Sequence, residues 1–388
     1  MTCIVALLLA AAPDDWPRWR GADGRGVSAE SWRVEALARP KLLFRVQLGE
    51  GLSNVAVAGG RLYTLGNAAG QDVVWCLDAK SGKVLWRQAY RCAAGNFYGP
   101  RATPTVADGR VYTVSRAGQA FAFDAETGTP AWQTDLAAAC GARPGDYGIS
   151  GSPLVLGDLV VYNAGARGAA LDRAGGAKKW SSDAGTSGFA SPVAFEHDGR
   201  TLVALFTAAD LSVLDPETGR SVASFAWKTP FDANAADPVR LDDGFFITSG
   251  WDRGCARVAF DGRRLSPVWQ NTSLRGQIAT PVWVDGHLYG IDDNTPNGQL
   301  RCVDAKTGEV RWSRKGGFSN LTAAGGRLLT VDKAGALVVV AADPTACKEL
   351  ARVPVVSARA KTWIAPVLSD GVLYVRDTDG LLVALDVR

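Results

Sequence analysis

The chain has 388 residues, 47% of them hydrophobic and 21% charged, with 44 glycines, 13 tryptophans and a formal net charge of +3. So flat a balance, with no concentrated basic stripe, excludes a nucleic-acid protein, and an apolar, aromatic composition excludes disorder. The longest apolar run, Ile4 to Ala12, is too short to cross a bilayer as a helix, so no transmembrane segment is expected.

In chain order, residues 1–12 read as the apolar core of a secretory signal ending on Ala10, Ala11 and Ala12, which predicts a periplasmic or secreted protein. Residues 13–40 are read as an N-terminal extension and 41–388 as a single repeat domain. Within that domain an apolar-Asp step recurs at Asp78, Asp124, Asp172, Asp215, Asp261, Asp304, Asp343 and Asp386, at intervals of 39 to 48 residues. Four residues on stand Gly82, Gly128, Gly176, Gly219 and Gly308, and eight on stand Trp86, Trp132, Trp180, Trp269 and Trp312. Three units depart from this phrase. Asp215 is taken to reach Trp227 through a longer turn, Asp261 has Leu265 for Gly, and Asp343 has Cys347 and Ala351 for Gly and Trp.

Upstream of each step runs a second phrase, often opened by Thr/Ser-Pro: an apolar strand, an Asp-Gly or Gly-Gly turn, and a strand often holding Tyr. Asp-Gly between apolar runs signals a hairpin, because a type I′ turn needs positive φ at both central residues. Four short antiparallel strands per unit, with a signature Trp, describe a propeller blade. The predicted fold is all-β, an eight-bladed β-propeller of four-stranded antiparallel blades, with seven blades as the alternative. Asp386 lies too near the end for its unit to have a last strand. Residues 41–47 (KLLFRVQ), with Phe44 in the Trp place, are expected to supply it and close the ring. The docking residues are then Trp86, Trp132, Trp180, Trp227, Trp269, Trp312 and Phe44.

The residues just before each inner strand should line the channel mouth. Asn54, Arg101, Tyr147, Arg275, Gln277, Asn320 and Trp363 are the ligand candidates, with Arg101 or Arg275 as an anion contact and Trp363 as a stacking platform. The recurrent Asp is a turn cap, since a catalytic residue would appear once. His197 and His287 flank Asp-Gly turns and should sit exposed at hairpin tips. Two histidines so placed exclude His triads and His-rich metal sites, and no nucleophile-elbow, zincin or P-loop phrase occurs. No catalytic or metal-ligating residue is assigned. Cys76 and Cys302 fill a small apolar slot two residues before the Asp. Cys92 and Cys140 lie in matching inter-blade connections and are the candidate disulfide.

The phrases Leu77 to Trp86, Phe123 to Trp132 and Val303 to Trp312 resemble the tryptophan-docking motif of the pyrroloquinoline-quinone (PQQ) repeat family. The opening Asp15-Trp-Pro-Arg-Trp-Arg-Gly21 is similar to the N-terminal stretch of quinoproteins and their short exported relatives. The family contains PQQ-dependent dehydrogenases and non-enzymatic propellers such as the outer-membrane assembly factor BamB. The enzymes typically carry a vicinal Cys-Cys pair above the cofactor, and no adjacent cysteines occur here. The resemblance therefore implies an exported, monomeric, non-enzymatic scaffold for a protein or cell-envelope partner, without cofactor. A PQQ- and calcium-dependent alcohol or sugar dehydrogenase is the alternative.

Overall fold

A computed structural model of the chain describes residues 15–95, 97–293, 297–358 and 363–388; the expected signal at 1–12 lies outside them. Eight sheets stand around a central channel. From inner to outer strand they run Ala56–Ala58 to Val84–Arg91, Thr105–Ala107 to Pro130–Asp135, Leu154–Leu156 to Lys178–Ser181, and Val193–His197 to Ser221–Ala226 (blades 1 to 4). Blades 5 to 7 run Val239–Leu241 to Leu265–Asn271, Val282–Val284 to Val310–Lys315, and Leu321–Ala324 to Glu349–Pro354. Blade 8 takes three strands from Val367–Ser369 to Leu381–Asp386 and its outermost from Lys41–Gln47, with Phe44 opposite Ala384. The ring is eight-bladed and closed by its own leading segment.

The hairpin signals are realised at the backbone. Asp108, Asp285 and Asp370 take φ of 47, 47 and 49°, and the glycines after them 72, 76 and 66°, as a type I′ turn requires. All such turns, with the Asp-x-x-x-Gly turns, lie on one face of the ring, here the turn face. The second-to-third-strand turns and the inter-blade loops lie on the other, the connection face. A two-stranded ribbon, Ala142–Arg143 with Gly185–Thr186, ties two of those loops together.

The core is a set of seams. Among the described residues eight apolar clusters each join two neighbouring blades. The docking rings close them. Trp86 Nε1 donates to Ala125 O of the next blade at 3.0 Å, Trp132 to Arg173 O at 3.0 Å, Trp269 to Ala305 O at 3.1 Å and Trp312 to Asp343 O at 2.8 Å. Trp180 donates likewise to Pro216 O at 2.6 Å. Where the receiving turn has a glycine, the fit requires it: a Cβ on Gly128 or Gly176 would stand 2.6 Å from the Trp86 or Trp132 ring; the turn that receives Trp312 has Cys347 in that place. Phe44 covers Gly82 in the same way.

Trp227 is not a docking residue. The Asp215–Gly219 turn has the ordinary length, with Gly219 N donating to Asp215 O, and the place opposite Val213 belongs to Ala223. Trp227 follows the outer strand, fully buried, its Nε1 on Ser249 Oγ at 3.1 Å and the Arg253 guanidinium stacked 3.6 Å from its ring centre. With a small residue in the slot, seam 4–5 is filled from the inner side by Phe195, edge-on to Phe245 and Phe260, and by His197, 4.8 Å from Phe260. The His197 side chain is thus only 21% exposed, against the expected free tip. In blades 5 and 7 the counted Asp sits two residues late: Phe260 N and Ala342 N make the bonds to Asp243 O and Gly326 O that Ala79 N makes to Gly60 O. Arg257 and Val339 therefore occupy the slot that Cys76 and Cys302 fill, where Ala259 and Ala341 were expected.

Candidate functional site

At the head of the inner strands of blades 1 to 5 one residue links to the next blade. Asn54 N donates to Thr103 Oγ1 (3.1 Å), Thr103 N to Ser152 Oγ (2.9 Å), Ser152 N to Ser191 Oγ (3.0 Å), Ser191 N to Asp237 Oδ1 (2.6 Å), and Asp237 N to Thr280 Oγ1 (2.9 Å). The Thr/Ser-Pro step is thus a hydrogen-bonded girdle, and the proline after each acceptor has no N–H to satisfy. Blade 5 puts a carboxylate where its neighbours put a hydroxyl.

That carboxylate anchors a plug. Residues 15–40, expected as an extension, are built into the ring. Trp16 and Val57 of blade 1 exchange backbone hydrogen bonds, and Pro17 O accepts from Val106 N of blade 2. The chain then crosses the channel: Trp19 Nε1 donates to Asp237 Oδ2, and the buried Arg20 donates to Thr280 O and Pro281 O of blade 6 at 3.0 and 2.8 Å. Val27–Ser28 returns as a parallel strand on blade 7, and Trp32 Nε1 bonds Ala324 O. Burial pushes the Asp237 carboxyl pKa upward, while Arg20, the Ser191 N–H and the Trp19 N–H pull it back. Between Arg18, Trp19 and the inner strands a cavity of about 10 Å³ remains, room for one water.

The ligand candidates do not converge. Asn54 is buried and spent on Ala365 O and Val55 N, and Asn320 on Leu321 N. Arg275 grips Asp292 through two nitrogens and reaches Asp252 at 2.8 Å, so its pKa is raised, chiefly by the Asp292 hydrogen bonds, and its charge is met. Gln277 packs against Gly250. Trp363 stands edge-on to Tyr98 at 5.8 Å. Arg101 and Tyr147 do share a neighbourhood, with Arg116, on the connection face over blades 1 to 3. Cys92 and Cys140 are free buried thiols rather than a bridge: Cys92 lies beside Asp72, Cys140 in the blade 2–3 seam on the short helix Leu136–Cys140.

PQQ with calcium is a poor fit to these residues. A planar tricyclic ring exceeds the one-water cavity beside Trp19, and the Arg275 guanidinium is already paired. Among the described residues no group of three or more His, Cys, Asp or Glu is arranged to hold a metal ion. No helix among them is long and apolar enough to cross a membrane.

Missed from the sequence were Trp19, Arg20 and Asp237 as one unit, and Arg116. The first had a signal: a lone Asp-Pro in a series of Thr/Ser-Pro steps. Arg116 had none beyond lying in a turn.

The family model described as outer membrane protein assembly factor BamB matches residues 22–143 and 98–314. The BamB of Moranella endobia is 26% identical over 276 residues, covering 69% of this chain and 59% of that protein. The quinohemoprotein alcohol dehydrogenase ADH-IIG of Pseudomonas putida is 33% identical over 311 residues, covering 69% of this chain and 40% of the enzyme. Among solved structures, BamB from Moraxella catarrhalis superposes with a TM-score of 0.66 at 17% identity, covering 89% of this chain and 99% of that one. With the ring, the docking rings and a match over most of its length, the chain belongs to the PQQ-repeat propeller family of the outer membrane protein assembly factor BamB.

Proposed function

We propose that this chain is an exported, non-enzymatic, monomeric propeller that binds a protein partner of the cell envelope in outer membrane assembly, as the names of its BamB relatives suggest. The plug carries this reading: residues 15–28 fill the channel in which a propeller would hold a small ligand, which leaves the ring's surface as its working part. Loops on a rigid scaffold suit recognition. The connection face offers Phe231, 63% exposed and held at φ 62°, with Trp251 beside it at 6.1 Å. A bulky residue kept in the left-handed region at a surface is the kind of stored strain found at binding sites.

The 33% identity to a quinohemoprotein dehydrogenase favours a second reading, a PQQ- and calcium-dependent alcohol or sugar dehydrogenase. Two measurements separate them. In-cell crosslinking from a photoreactive residue at position 231 should capture an envelope protein. Titration with PQQ and calcium should give no saturable absorbance change and no dye-linked oxidation of alcohols or sugars. Saturable cofactor binding with turnover, and no captured protein, would replace the scaffold with the enzyme.

A further inference from the structure

We propose that Arg101 and Arg116 form an anion-binding cleft on the connection face, and that it takes the carboxylates of an acidic segment in the protein partner. This rests on the partner-binding reading above. The cleft lies between the loop leading from blade 1 to blade 2 and the loop leading from blade 2 to blade 3. Arg101 closes the first loop on itself, donating to Phe97 O at 2.6 Å and Gly99 O at 3.3 Å. Arg116, from the turn between the second and third strands of blade 2, reaches between the two loops. Its Nη2 stands 3.5 Å from Asp146 O, and its buried Nε has no hydrogen-bond partner among the described residues. Two glycines make that space. A Cβ on Gly95 would collide with the guanidinium, and one on Gly148 would stand 2.7 Å from the Arg116 Cβ. Phe97, 41% exposed, meets Tyr147 at 5.2 Å and forms an aromatic wall joining the two loops.

Arg275, Arg301 and Arg352 each pair with a carboxylate, whereas among the described residues Arg101 and Arg116 hydrogen-bond only carbonyl oxygens. The carboxyl that their charges feel, Asp72, is buried behind them on the Asn67 amide at 2.7 Å. Burial raises its pKa, while the Asn67 amide and the Arg116 and Arg101 charges act to lower it. Burial first, then the Arg116 charge, brings the Arg101 guanidinium down to about 10. Each guanidinium carries five N–H groups, so several donors remain for a forked carboxylate. The adjoining Phe97 and Tyr147 rings suit a segment that interleaves acidic and apolar residues.

The test uses the full chain and a fluorescein-labelled peptide of alternating Glu and Ala, with glutarate and inorganic phosphate at matched ionic strength. The peptide should bind, and Arg116→Gln and Arg101→Gln should each weaken it about tenfold or more, the loss of one charge-assisted pair. Arg116→Lys should recover part of the affinity, and Arg263→Gln on the turn face should leave it unchanged. Thermal melts without ligand verify that each variant is folded. Equal affinity in Arg116→Gln and the parent, or an equal loss in Arg263→Gln, overturns the cleft. Glutarate or phosphate binding as tightly as the peptide overturns the acidic segment as its occupant. A captured partner indifferent to Arg116→Gln overturns this inference alone, whereas Arg116-dependent peptide binding with no partner captured counts against the scaffold reading.

Discussion

The closure seam shows how one side chain replaces another's chemistry. Phe44 has the shape of a docking Trp but no N–H, and at this seam the Tyr374 hydroxyl donates to Ala79 O at 2.8 Å. At seam 1–2 both Trp86 Nε1 and Tyr63 Oη donate to Ala125 O. Tyr374→Phe should therefore cost about 1–3 kcal/mol, the penalty of a buried acceptor left empty, and Tyr63→Phe less than about 1 kcal/mol. Urea midpoints at unchanged m-value measure both. Docking positions were legible wherever Trp stood eight residues past the Asp. Trp227 was misassigned because the bulge that sets strand register leaves no mark in residue types, and the nearest Trp stood in for the small Ala223.

At the scale of elements, the plug pairs at its ends with blades 1 and 7 and is held between them by polar contacts to blades 5 and 6. Asp237 accepts from Ser191 N and from Trp19 Nε1 and faces the Arg20 charge. Asp237→Ala should leave the Ser191 N–H and the indole N–H without that acceptor, at about 1–3 kcal/mol each at most. Residues 15–28 should then open locally, and limited trypsin digestion should cut after Arg20, now buried, well before the ring unfolds. Unchanged cleavage after Arg20 would mean that the Arg20 contacts to Thr280 O and Pro281 O suffice. The motif around Trp16 and Trp19 was visible in the sequence. Its path across the ring was not, because those contacts span more than 200 residues.

For the molecule as a whole, the repeated turn makes stability depend on acid. The Ser81 hydroxyl and N–H hold Asp78 below the ordinary carboxylate range, the Thr127 N–H and hydroxyl hold Asp124, and the Arg388 guanidinium holds Asp386. A depressed folded pKa lends stability that is present above the unfolded value of 3.8 and lost as the pH falls through the folded one. Asp72, Asp237 and Asp377, raised by burial, act the other way, losing stability as the pH rises past 3.8. The repeated turns outnumber them, so the melting temperature should drop below about pH 4. Asp124→Asn, which keeps an oxygen for the turn, should flatten that drop; an unchanged slope would remove the turns as its source.

The sequence by itself determined the ring: hairpins, turn caps and docking rings repeat locally, and any pattern confined to about 44 residues can be counted without knowing what lies beside it. Only the tertiary structure decided what the ring can hold. Whether Arg275 is free or paired, whether Ala223 or Trp227 faces a seam, and whether the channel is open all depend on residues far apart in sequence, brought together by closure of a circle.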